Sequence, residues 1–237
     1  MKRNISRVLA FAALTLAAIA ITSCTGKKFH VSGEIANAKD SVLYFENMSL
    51  DGPVTVDSVK LGADGSFDFS QEAPQSPEFY RLRIAGQIIN IAVDSTENIS
   101  VKATYPNMAS QYDVTGSEEC GKIKELSLKQ MDLQARVIAV AQNSYLTEQQ
   151  ANDSIEGLIS RYKQDVKLNY IIKNPAKASS YFALFQTIGN RLLFNPRQNK
   201  DDIKMFAAVA TSWDTYYPNS ERGKNLHNIA IEGMKTV

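Results

Sequence analysis

The chain has few residues of the types that build reactive or metal-binding centres. Its 237 residues include two cysteines, two histidines and one tryptophan. The histidines, His30 and His227, are far apart in sequence, whereas a zinc site needs three or four converging ligands. No Cys-x-x-Cys pair occurs, so dithiol redox chemistry has no motif to support it. The motifs therefore predict no catalytic residue, no metal ligand and no cofactor.

Charge of one sign and long hydrophobic runs are also scarce. The 26 Lys and Arg residues nearly balance the 25 Asp and Glu residues, which gives a net charge of +1. A nucleic-acid-binding protein needs a clustered basic face, so we expect no nucleic-acid partner. The apolar run at residues 8–21 falls short of the roughly 20 residues that cross a bilayer, which argues against a transmembrane helix.

The N-terminus does contain the layout of a secretory signal peptide. Lys2, Arg3 and Arg7 precede the apolar run, and the segment closes with Ile21-Thr22-Ser23-Cys24. Apolar, small, small, Cys resembles the lipobox of bacterial lipoproteins, in which the cysteine is acylated and becomes the first mature residue. The resemblance implies a signal peptide at residues 1–23, a lipid such as palmitate on Cys24, and a tether at residues 24–28. The alternative is an ordinary cleavable signal with a coincidental cysteine.

The residues after Cys24 bear on its location. Thr25 rather than Asp follows the cysteine, and by resemblance to the usual sorting rule this favours the outer membrane. Gly26-Lys27-Lys28 lacks the acidic run of surface-exported lipoproteins, so we expect the protein to face the periplasm. Its expected partners are the membrane, through the lipid on Cys24, and a protein of the envelope. If Cys24 is acylated, Cys120 has no cysteine left for an intrachain disulfide.

Residues 29–115 show the alternation and turn residues of short strands. Tyr80, Leu82 and Ile84 fall on one face of a strand and Arg81 and Arg83 on the other. The apolar face of residues 54–61 switches sides, which predicts a bulge near Asp57-Ser58. Turn sequences such as Asp64-Gly65 separate the strands. This spacing predicts an antiparallel β-sandwich.

Residues 116–237 predict a bundle of about five helices, so the fold class is α+β. Ser117 is a predicted N-cap, Thr147 is predicted to cap the next helix, and apolar residues recur at helical spacing. The third predicted helix carries an apolar stripe that reaches Leu192.

Cys120 is the candidate redox residue. It is predicted in the first turn of the helix capped by Ser117, where the helix dipole would lower the thiol pKa. Glu118 and Glu119 flank it and would raise that pKa. The alternative interpretation is a small residue packed at a domain junction. Trp213, Tyr216 and Tyr217 likewise predict either a sugar-stacking platform or helix-core packing.

Several of these segments together resemble one family. They are the strand with Gly33, the segment Val56-Asp57-Ser58-Val59 before Asp64-Gly65-Ser66-Phe67, Phe79-Tyr80-Arg81-Leu82, and Val114-Thr115-Gly116-Ser117 entering a helix. The family is the N-terminal β-domain of unknown function of anchored bacterial lipoproteins. In that family the β-domain and a helical segment usually precede a thioredoxin-like domain of the AhpC/TSA (TlpA-like) type.

The resemblance implies a binding or accessory module related to thiol-redox lipoproteins, without enzymatic activity of its own. The family's Trp-Cys-x-x-Cys motif is missing, so its dithiol chemistry transfers to no residue here. The alternative is a truncated or Cys120-dependent member of the thiol-disulfide oxidoreductases.

Overall fold

The computed structural model of the protein describes residues 26–237. The predicted signal peptide and the predicted lipidation site at Cys24 lie outside the described residues. Within them, strands occupy the first half and helices the second, so the predicted α+β fold is confirmed. No helix in this part of the chain is both long enough and apolar enough to cross a membrane.

In the described part of the chain, eight strands precede the helices and form two four-stranded sheets. The first sheet has the order β4-β1-β7-β8 and the second the order β3-β2-β5-β6. The strands are β1 (Lys28–Ala36), β2 (Val42–Ser49), β3 (Gly52–Lys60), β4 (Ser66–Glu72), β5 (Glu78–Ile84), β6 (Gln87–Val93), β7 (Asn98–Thr104) and β8 (Tyr112–Thr115).

Strand pairing is antiparallel except between β1 and β7, which run parallel. The chain between these two strands passes through the second sheet twice, so no tight turn constrains their direction. Gly33 permits their close approach, because a Cβ at this position would lie 1.8 Å from the Val101 carbonyl oxygen. The predicted bulge is confirmed: the pairing of β2 with β3 skips Val56, next to Asp57.

The sandwich core lies between the two sheets and is built from alternate residues of the strands, except that β3 contributes only the half-buried Val59. Phe45 is fully buried and stacks on Phe69 of the opposite sheet, with ring centroids 5.1 Å apart. It also stacks on Tyr80 at 5.0 Å. Leu82 and Ile84 point into the same core, as the sequence alternation predicts.

Five α-helices lie in residues 116–237. They are α1 (Glu118–Ala141), α2 (Glu148–Val166), α3 (Ala178–Leu184), α4 (Lys200–Tyr216) and α5 (Glu221–Thr236), and α2 continues into a π-helical turn (Lys167–Ile171). The predicted caps are confirmed: the Ser117 side chain accepts a hydrogen bond from the Cys120 amide, and Thr147 forms a capping box with Gln150.

The third predicted helix is wrong beyond Leu184. Residues 187–192 form a small hairpin of β9 (Thr187–Ile188) and β10 (Arg191–Leu192) instead. Gly189 has a φ of 55° in its turn, a conformation that glycine adopts without strain. The buried Gln186 side chain, which donates to the Leu126 carbonyl at 3.1 Å, holds the chain where the helix would have continued.

A second core lies between the helices and the outer face of the second sheet. Phe79 of β5 faces outward and packs on Tyr181 of α3, with ring centroids 5.1 Å apart. Tyr181 packs in turn on Trp213 of α4 at 5.0 Å. The second sheet therefore serves both cores, one on each face.

Candidate functional site

The outer face of the second sheet carries two kinds of residue along its strands. Met48, Phe79 and Ala92 form an apolar row that packs under the helices. One step along the strands, Glu46, Arg81 and Asn90 form a polar row, in which Arg81 pairs across the strands with both neighbours. Because side chains alternate in a strand, both rows lie on the face opposite the sandwich core.

Arg222 of α5 joins the helices to the apolar row. Its guanidinium donates to Glu78 Oε2 from Nε at 3.0 Å and from Nη2 at 2.8 Å. Nη2 also donates to the Met48 carbonyl oxygen, and the guanidinium stacks over the Phe79 ring at 5.1 Å. The Arg222 side chain is only 7 % exposed and that of Glu78 is 30 % exposed, so this partly buried ion pair fixes α5 against β2 and β5.

Beside Arg222, the sheet and the helices do not close completely. They leave a cavity of about 430 Å³, here called the interlayer cleft. On the sheet side the cleft is lined by Met48, Phe79 and Asn90, with Leu50 at the β2–β3 turn. On the helix side it is lined by Gln130, Tyr181, Phe182, Phe185, Arg222 and Asn225.

The polar groups of the interlayer cleft include four neutral amides, those of Asn90, Gln130, Gln186 and Asn225. Gln130 uses its Nε2 to donate to the Thr187 carbonyl at 2.6 Å, which leaves its amide oxygen available. Asn90 makes no side-chain hydrogen bond within residues 26–237, and its amide faces the cleft. Aromatic walls with a few amides can hold a largely apolar molecule and orient its polar end.

A larger groove of about 590 Å³ lies between α2 and the start of α4. Two of its charged groups pair with each other, since Lys163 Nζ lies 2.6 Å from Asp202 Oδ2. Lys163 Nζ also lies 5.2 Å from the centre of the Phe194 ring. The same Asp202 oxygen accepts from the Asn195 amide at 2.7 Å. These contacts tie the loop before α4 to α2, so we assign this groove a structural role.

Cys120 lies in the first turn of α1, but its side chain is buried in the sandwich core. Its thiol donates to the Ala92 carbonyl at 3.1 Å. Burial raises the pKa of the Cys120 thiol to about 12, although a hydrogen bond with the Ser117 side chain opposes this effect. A neutral, buried thiol is a poor nucleophile, so the geometry favours a packing role over a redox role.

The other candidate residues are not brought together. His30 lies 3.8 Å from Asp68 on the first sheet, and His227 of α5 lies 3.1 Å from Asp214 of α4. Residues 26–237 contain no cluster of three or more potential metal ligands. Trp213 is fully buried and Tyr216 is exposed, so they do not share a stacking platform.

Sequence reasoning missed the ion pairs in and beside the cleft. The strand alternation predicted that Arg81 and Arg83 face away from the core, but it could not pair them with Glu46, which lies 35 and 37 positions earlier. Arg222 stands 144 positions after Glu78 and had no local signal. Their roles depend on contacts between distant segments.

The fold and cleft define a class of α+β protein in which a two-sheet sandwich carries a helical layer on one outer face. Residues 29–120 match the family model described as a domain of unknown function (DUF4369), which spans the sandwich and the start of α1. No curated protein matches the chain. The resemblance to a β-domain of unknown function is thereby confirmed, whereas lipidation and the association with thioredoxin-like domains stay predictions.

Proposed function

We propose that this chain is a lipid-anchored, non-enzymatic protein of the cell envelope that binds a ligand in the interlayer cleft. The observation that carries the proposal is the cleft itself. Its volume of about 430 Å³ falls within the roughly 300–1,000 Å³ that is usual for small-molecule sites. Its walls come from both halves of the chain, so a bound ligand would contact sheet and helices together.

The chemistry of the lining favours binding over catalysis. General acid–base or nucleophilic catalysis needs a titratable or nucleophilic group in reach of the substrate. The side chains around this cleft are mainly aromatic rings, methionine and amides. The charged Arg222 is engaged by Glu78 and the Met48 carbonyl, which keeps it in a structural role.

An accessory role beside thiol-redox proteins of the envelope is supported by the family resemblance. The competing hypothesis is thiol-disulfide exchange through Cys120. An insulin-reduction assay separates the two, and we expect no turnover by the wild type. Turnover that disappears in Cys120→Ser would favour the enzyme instead.

Membrane anchoring is tested by metabolic labelling with radioactive palmitate. We expect label on the wild type and none on Cys24→Ser, with Cys120→Ser labelled like the wild type because its thiol is buried. A Cys24→Ser protein that keeps both the label and its membrane partitioning would contradict the anchor.

Ligand binding is tested with the neutral fluorescent probe N-phenyl-1-naphthylamine, using the full-length Cys24→Ser chain to avoid lipid. We expect saturable fluorescence enhancement that is lost in Asn90→Trp, because the indole fills the cleft. The matched control is Ile88→Trp, two residues away on the same face of β6 but outside the cleft lining. Equal binding by both variants would contradict the proposed site.

A further inference from the structure

Three charged side chains share the outer face of the second sheet beside the interlayer cleft. Arg83 Nη2 donates to Glu46 Oε1 at 2.7 Å, and Arg81 Nε donates to Glu46 Oε2 at 2.5 Å. One carboxylate therefore faces two guanidinium groups, which leaves a surplus positive charge on this part of the sheet. The Arg83 guanidinium also lies 4.5 Å above the Tyr44 ring.

The surplus charge is permanent at neutral pH. The Glu46 side chain is only 5 % exposed, and hydrogen bonds from Arg83 and Arg81 hold the pKa of its carboxyl below the usual range. Arginine stays protonated in proteins. Since neither the Glu46 carboxylate nor the two guanidinium groups change charge near pH 7, the cluster keeps its net charge of +1.

Arg81 has N–H donors that are not used in the contact with Glu46. It contacts Glu46 through Nε, and neither of its terminal amino groups has an acceptor within residues 26–237. The side chain is 18 % exposed. A guanidinium that is held by one edge and open at the other is already oriented for an incoming oxyanion, which lowers the entropy cost of binding.

Arg81 is next to the interlayer cleft, although it is not one of the residues that line it. It pairs across the strands with Asn90, whose side chain lines the cleft. On its own strand it stands two residues after Phe79, on the same face, at a spacing of about 7 Å. This distance matches an apolar ring that carries an acidic group directly or through a short link.

We propose that the interlayer cleft selects amphipathic organic anions, with the acidic group on Arg81 and Asn90 and the apolar body against Phe79 and Phe185. The acidic group is a carboxylate, sulfonate or phosphate, all of which accept paired hydrogen bonds from a guanidinium. This inference rests on the proposed function, because it requires that the cleft binds a ligand.

The test compares two probes that share one skeleton. 8-Anilinonaphthalene-1-sulfonate carries a sulfonate that N-phenyl-1-naphthylamine lacks. In the full-length Cys24→Ser background, we expect Arg81→Gln to weaken binding of the sulfonate about tenfold, as loss of one charge-assisted hydrogen bond predicts. Binding of the neutral probe should change less than about twofold, since the apolar contacts are unaltered.

Controls separate charge from structure. Arg81→Gln leaves Glu46 paired with Arg83, so the sheet keeps its ion pair. The matched control is Arg161→Gln on the exposed face of α2, which should alter neither probe. If Arg81→Gln has an altered circular dichroism spectrum, Arg81→Lys replaces it in the test. Lysine keeps the positive charge but lacks the paired N–H donors of the guanidinium, so this variant should weaken binding of the sulfonate probe only.

The outcomes distinguish the inference from the proposed function. If neither probe binds in the cleft, the proposed function fails. The neutral probe could bind while Arg81→Gln weakens the binding of both probes equally, or of neither. In that case the cleft binds ligands, but the proposed role of Arg81 in binding the acidic group is wrong. Competition by inorganic sulfate against the sulfonate probe, but not against the neutral one, would further support anion binding by Arg81.

Discussion

The two cores of this protein use opposite faces of the same sheet and differ in how they are filled. The sandwich core is made of apolar side chains, including Phe45 stacked between Phe69 and Tyr80. Nearly all the buried polar side chains of residues 26–237 belong instead to the helical half, and Glu46 is the exception. The difference follows from how each layer provides hydrogen-bond partners for its backbone N–H and C=O groups.

Paired strands satisfy their backbone groups through the ladder, so the sandwich can bury apolar residues alone. Short helices joined by irregular loops leave terminal amides and carbonyls without partners. Here buried side chains supply those partners: Glu119 accepts from the Ser179 amide at 2.7 Å, and Asp202 accepts from the Asn195 amide. The second core is therefore held by specific polar contacts, and the cleft remains where they leave space.

The largest expected effect lies in the sandwich core. Phe45→Ala should lower the free energy of unfolding by about 3–5 kcal/mol, because it opens a cavity between the two sheets. The matched control is Tyr44→Ala on the opposite face of β2, which should cost about 1 kcal/mol or less as the loss of a partly exposed cation–π contact. Urea unfolding measures both, and equal losses would contradict the assignment of faces.

An intermediate effect is expected where a polar contact holds the helices. Glu119→Ala should cost about 1–3 kcal/mol, since it leaves the buried Ser179 amide without an acceptor. Glu118→Ala, at the neighbouring exposed position, should cost about 0.3–1 kcal/mol through the helix dipole alone. Hydrogen exchange should show the loss of protection around α3 in the first variant only. Loss of protection in the sandwich as well would mean that the two cores unfold together.

The smallest expected effect concerns the contact between the two regions. Asp94 lies in the β6–β7 turn and faces Glu97 of that turn, Glu119 of α1 and Lys177 before α3. Burial, reinforced by Glu97 and Glu119, raises the pKa of the Asp94 carboxyl to about 6. The folded protein then binds more protons than the unfolded chain between about pH 4 and pH 6, so its stability falls as the pH rises through this window.

Asp94→Asn mimics the protonated carboxyl. It should stabilise the protein at pH 7 by roughly 1–2 kcal/mol and flatten the pH dependence of unfolding between pH 4 and 6. Asp57→Asn, in exposed β3, serves as the control and should leave the pH profile unchanged. An unaltered profile in Asp94→Asn would show that another group titrates in this window.

Much of the sandwich could be predicted because its signals are local. The alternation of Tyr80 to Ile84, the turn at Asp64-Gly65 and the bulge beside Asp57 are properties of a few adjacent residues. The helix caps at Ser117 and Thr147 were equally local. The hairpin at residues 187–192 was missed because its apolar spacing also fits a helix. Contacts with distant residues, such as those of Gln186 with Leu126 and of Thr187 with Gln130, favour the hairpin.

The sequence by itself determined the strand-rich and helix-rich halves, the faces of the strands and the starts of the helices, because these follow from the backbone preferences and spacing of neighbouring residues. The tertiary structure alone decided that β1 and β7 run parallel, that the Cys120 thiol is buried, and that Arg81 reaches Glu46 beside an open cleft. These features depend on segments that are distant along the chain and meet only when the second sheet is covered on both faces.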